Sequence, residues 1–203
     1  MENNTLVLFI LASVSLTFFP GPDMMYVIAT SIAQGWKKGF EVSMGLCSGL
    51  IIHTLVVVLG LGSLLQRIPQ LIRFIELFGA CYFLFLGCQL WKNALALKES
   101  RQETKGAKGL FITGFIMNLS NPKVSLFFIS FFPGFLFSDH MSYKQQFLIL
   151  GMLFFVQAVF VFTISSLVVD RLRKKIRVAI NQVLWNKVQA LVLLFIALIL
   201  IYP

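Results

Sequence analysis

Apolar residues gather in six long blocks along this chain, at residues 5–33, 39–62, 69–90, 110–136, 145–169 and 187–202, and short stretches between them hold nearly all the charge. A helix rises about 1.5 Å per residue, so about 20 apolar residues cross a hydrocarbon core ~30 Å thick. Each block predicts one membrane-crossing helix, and no intervening segment is long enough to fold as a domain. Composition agrees: 58% of residues are hydrophobic, 12% are charged and the mean hydropathy is +0.87, which makes lipid the solvent for most of the chain.

Two blocks are interrupted. The first runs apolar to Phe19, meets Pro20-Gly21-Pro22 and resumes at Asp23; the fourth runs to Leu119, meets Ser120-Asn121-Pro122-Lys123 and resumes at Val124. Proline removes a backbone donor and clashes with the preceding turn. Hydrocarbon tolerates the loss only where protein or a water-filled cavity satisfies the freed groups. Gly21-Pro22-Asp23 matches Asn121-Pro122-Lys123: a residue suited to cap a helix, proline at the first helical position, then a charge. Three spans separate the breaks, an odd number, so the two halves must enter the membrane in opposite senses. The expected fold is an all-α integral membrane protein of six transmembrane helices, an inverted 3+3 repeat with helices 1 and 4 broken at mid-membrane. It forms one domain over 1–203, with halves of about 1–95 and 106–203. In transporters of this design, broken helices meet at the midplane and their freed groups hold substrate and coupling ion.

An Asp or Lys at the centre of a spanning helix costs about 2.5–3.5 kcal/mol and needs compensation. Asp23 falls in the first turn of its helix, where the dipole favours an anion; Lys123 opposes the dipole of its own, which an apposed carboxylate would explain. A direct or water-mediated Asp23–Lys123 interaction is therefore expected. A zwitterion carries an ammonium for Asp23 and a carboxylate for Lys123 and could replace that pair, or Asp23 could take up a proton. Asn118 and Asn121 bracket the second break, either as ligands or as local repair of the backbone. His53 follows Gly45 and Gly49 on one face of helix 2, as an interhelical hydrogen bonder or as a proton relay. Arg73 and Glu76 suit a local pair at the outer end of helix 3.

The formal charge of +9 could suggest nucleic acid, but its distribution argues otherwise. Lys37 and Lys38, then Lys92, Lys98, Arg101, Lys105 and Lys108, then Arg171, Arg173, Lys174, Lys175, Arg177 and Lys187 occupy alternate loops, against Arg67, Arg73 and Lys144 on the other side. The positive-inside rule puts the odd-numbered loops in the cytoplasm and both termini outside. Residues 1–5 lack the basic region of a cleaved signal peptide, so the first block is expected to be retained. Cys47, Cys81 and Cys88 form no C-x-x-C pair and have no histidine cluster beside them; no metal site and no cofactor is expected.

With Pro20-Gly21-Pro22-Asp23 on helix 1, Gly45, Gly49 and His53 on helix 2, Gly79-Ala80, Tyr82 and Gly87 on helix 3, and Gly114-Phe115, Asn118 and Asn121-Pro122-Lys123 on helix 4, the chain resembles the LysE/RhtB family of bacterial amino-acid exporters over nearly its whole length. The paired proline motifs carry the resemblance; the glycines alone would be weak. The resemblance implies export of amino acids or close derivatives from the cytoplasm across a bacterial inner membrane, driven by the proton motive force. Phe132-Pro133-Gly134-Phe135 departs from the family, which more often has Gln after the proline.

Other readings fit less well. An intramembrane serine protease would draw on Ser48 and His53, but these lie five residues apart on one helix and point to different sides. A channel would line a continuous pore with polar groups, whereas here they concentrate at two breaks. A structural subunit would need no breaks at all. Asp23 is the one firmly intramembrane acid, which favours small neutral amino acids over lysine or arginine as cargo; a basic amino-acid exporter is the alternative. A six-helix unit of this size also leaves an apolar face for a homodimer.

Overall fold

The computed structural model describes residues 2–18, 21–61, 70–93 and 109–176, together with 63, 67, 68, 187, 190, 191, 194, 197 and 198. Among them there are seven α-helices and no strand. The first block is two helices, α1 (Glu2–Phe18) and α2 (Pro22–Gln34), bent by 55°. Pro22 begins α2, where a missing N–H has no intrahelical partner to lose. Gly35 ends it at φ +88°, a left-handed conformation that favours glycine, and its N–H donates back to the Ser31 carbonyl at 3.0 Å. The chain then reverses into α3 (Trp36–Val56), which runs on through a π-helical turn, Val57–Leu61. Next comes α4 (Leu71–Asn93).

The fourth block is also two helices, α5 (Leu110–Leu119) and α6 (Pro122–Ser130), separated at the expected residues. It was expected to stay helical to 136; instead α6 stops at Ser130, and Phe132–Phe135 form a 3₁₀ turn around Pro133, whose ring and missing N–H suit no helix interior. The last described helix, α7 (Tyr143–Ile176), outruns its expected end at 169.

Two helices, Trp36–Leu61 and Tyr143–Leu172, are long and apolar enough to cross a membrane, and α1 with α2 makes a third span if the bent pair is counted as one. Most of the sixth expected span lies outside the described residues, as do Pro20, the 94–108 loop and the Glu76 side chain.

Helix α3 packs against α2, α5 and α7, and α7 also lies along α1 and α2. The α3–α5 crossing depends on small residues, as expected from Gly45 and Gly49. A Cβ on Gly45 would strike the Phe111 carbonyl, one on Gly114 the Val42 carbonyl, and one on Gly49 the Asn118 side chain. Lipid supplies no hydrophobic drive between helices, so close backbone approach of this kind is the main source of their association. Met152, Val156, Phe160, Ile164 and Val168 form an exposed apolar stripe on the outer side of α7.

Candidate functional site

The two breaks, about a hundred residues apart in sequence, meet in space. The Asn121 amide is the joint: its Nδ2 donates to Asp23 Oδ2 at 2.9 Å, while its Oδ1 accepts the Lys123 backbone N–H at 3.1 Å and so caps α6. One buried side chain repairs its own break and binds the acid of the other. Asp23 is buried at the start of α2, and its second oxygen, Oδ1, has no hydrogen-bond partner among the described residues. A buried carboxylate oxygen in that state is an acceptor held ready for a donor, since leaving it unmatched is costly.

Lys123 is placed by the same exchange between breaks. Its Nζ donates to the carbonyl of Leu16 at 3.4 Å, in the last turn of α1. The cation opposes the dipole of α6 but lies at the carbonyl end of α1, where a positive charge is favoured. The expectation of a charge pair thus needs refining. Lys123 is near enough to Asp23 for their charges to interact, yet the carboxylate's hydrogen bond comes from Asn121.

Asp23, Asn118, Asn121, Lys123 and Gly21 all line one cavity of about 30 Å³. That is room for about one water molecule. His53 stands behind it: its Nε2 donates to the Asn118 carbonyl at 3.3 Å, and its ring lies over Phe128 with centroids 5.5 Å apart. The imidazole therefore makes the interhelical bond that was one of its two expected roles. Pro22 and Pro122 shape the breaks from exposed positions, each starting a helix. Ser48 donates to the Met44 carbonyl at 2.8 Å, so Ser48 and His53 are engaged with different partners, and these two do not form the contact a serine nucleophile and its base require.

Sequence reasoning missed the part of the wall contributed by α1 and α7. Thr17 lines the cavity and accepts from Gln157 Nε2 at 3.0 Å, tying α7 to the end of α1, while Gln157 Oε1 is buried without a partner among the described residues. Phe154, Ala158 and Phe162 of α7 complete the lining. An uncharged polar residue within an apolar helix was the available signal for Gln157; nothing marked the other three.

Two broken helices that bring an acid and a lysine to one small cavity, inside a helical apolar chain, define a membrane translocator. A family model, LysE type translocator, matches residues 14–203, and the chain belongs to that family. It is 33% identical over 144 residues to a homoserine/homoserine lactone efflux protein of Salmonella typhimurium, covering 70% of this chain and 69% of the relative. It is 28% identical over 130 residues to a leucine efflux protein of Klebsiella pneumoniae, covering 63% and 61%. No solved structure gives a significant match.

Proposed function

We propose that this protein exports small neutral amino acids or their close derivatives from the cytoplasm across a bacterial inner membrane, driven by the proton motive force. The meeting of the two breaks carries this reading: Asn121 holds one carboxylate oxygen of Asp23, the other has no partner among the described residues, and Lys123 lines the same cavity. A zwitterion offers an ammonium to Asp23 and a carboxylate to Lys123, and a proton can take the ammonium's place on Asp23, which gives exchange of cargo for proton at one site. Amino-acid cargo is supported by the relatives named for efflux of homoserine and leucine, neither of which has a charged side chain. A second cationic group, as in lysine, would meet Lys123 and find no further acid in the lining. The matched Pro22-Asp23 and Pro122-Lys123 starts of α2 and α6 support an inverted 3+3 repeat of six spans, with basic loops inside and both termini outside.

The test is efflux from proteoliposomes loaded with labelled amino acids under an imposed proton gradient. Gradient-dependent release of neutral amino acids is expected. Asp23→Asn and Lys123→Met should each lower it at least tenfold while remaining inserted and monodisperse. Release that ignores the gradient points to a channel, and release that survives both substitutions removes these charges from the mechanism.

A further inference from the structure

The lining of the cavity divides by origin. Its charges come from the first turns that follow the breaks, Asp23 on α2 and Lys123 on α6. The contribution of α7 is a single stripe, Phe154, Ala158 and Phe162, spaced four residues apart and therefore stacked on successive turns of one face. All three are buried, and Ala158 is fully so. Two large rings thus frame one methyl group. Met24, Leu50 and Val124 continue the same uncharged surface.

We propose that Ala158, framed by Phe154 and Phe162, is the residue that sets the size of the cargo's side chain. The proposal rests on the export reading above and goes further by assigning a side-chain subsite. A zwitterion held by its charged ends at the breaks directs its side chain to the part of the wall that carries no charge. Alkyl and hydroxyalkyl groups are accepted there; a cationic head would be buried without a counter-charge. The resting space is about 30 Å³, so the helices part to admit cargo, and the bulk at position 158 decides how large a side chain passes between the rings. In a shaped apolar pocket one methylene is worth roughly 10–200-fold in discrimination.

The experiment loads proteoliposomes with an equimolar mixture of labelled alanine, homoserine, leucine and phenylalanine and reads ratios of efflux rates. A ratio is internal to each preparation, so the amount of folded protein cancels. Ala158→Val should lower the leucine-to-alanine ratio by about tenfold or more. Phe162→Leu and the mild Ala158→Gly should raise the phenylalanine-to-alanine ratio. The decision rests on every variant that carries flux, and ratios matching wild type in those variants overturn the proposal. Absence of amino-acid flux in the wild type overturns the export reading, and this subsite with it, which is a different result from intact flux with unchanged preference.

Discussion

Along α7, two closely packed regions of opposite construction flank the residues that line the cavity. On the side of the 3₁₀ turn, Phe9, Phe127, Phe128, Phe131, Phe132, Phe135, Phe147 and Phe154 form one continuous aromatic mass. Phe127 stacks on Phe131 at 4.4 Å between centroids, Phe131 lies 4.3 Å from Phe135, and Phe128 lies 4.4 Å from Phe132. On the side of the α2–α3 turn the packing is a thin seam. Ser31 of α2, Gly39 of α3 and Ser166 of α7 pack so closely that a Cβ on Gly39 would overlap both serine side chains. The hydroxyls there bond within their own helices, Ser31 to the Val27 carbonyl, Ser43 to that of Gly39 and Ser166 to that of Phe162. Parting these three hydroxyls therefore breaks none of their hydrogen bonds and bares groups that water can wet. Parting the aromatic mass loses many dispersion contacts at once and bares only rings. The lesson is that equally close packing can cost very different amounts to undo, according to how much contact is lost and whether water can wet what is exposed.

Substitutions can break this contrast. Phe127→Ala, at the centre of the ring mass, should have the largest effect on stability. A loss of about 3 kcal/mol is expected, the low end of the Phe→Ala range because lipid competes for the apolar surface, or roughly 6–12 °C in Tm in a detergent melt. Gly39→Val should come second, at about 1–3 kcal/mol of overpacking, with efflux falling more than stability because the closed seam no longer fits. Ser166→Ala should be the mildest, within about 0.5 kcal/mol, because it removes only a bond to its own helix. A Ser166→Ala loss as large as that of Phe127→Ala would erase the distinction between the two regions.

Sequence reasoning reached the breaks because their signals are local. Pro22 and Pro122 stop a helix whatever surrounds them, and Gly45 and Gly49 advertise a close crossing by their spacing. The partner of Asp23 was harder to see. Charge alone ranks Lys123 first, but the Asn121 amide has both a donor and an acceptor and serves both breaks, while the Leu16 carbonyl, invisible in a residue code, receives the lysine. Apart from Gln157, the side of α7 that faces inward was not legible. Phe154, Ala158 and Phe162 differ little in character from the apolar residues beside them, and only tertiary packing separates a wall from a lipid-facing stripe. The many phenylalanines likewise read as generic packing material until the fold collected eight of them.

Helix α7 runs unbroken for 34 residues, about 51 Å by helical rise, well beyond the ~30 Å of a hydrocarbon core. Phe147 and Phe154 belong to the aromatic mass, Ser166 belongs to the seam, and Ala158 lies between them at the cavity. The helix is thus a single rod that touches the aromatic mass, the cavity and the seam in turn. An unbroken hydrogen-bonded helix has no hinge of its own along that length, so a shift of α7 at the seam would carry the cavity wall and the aromatic mass with it.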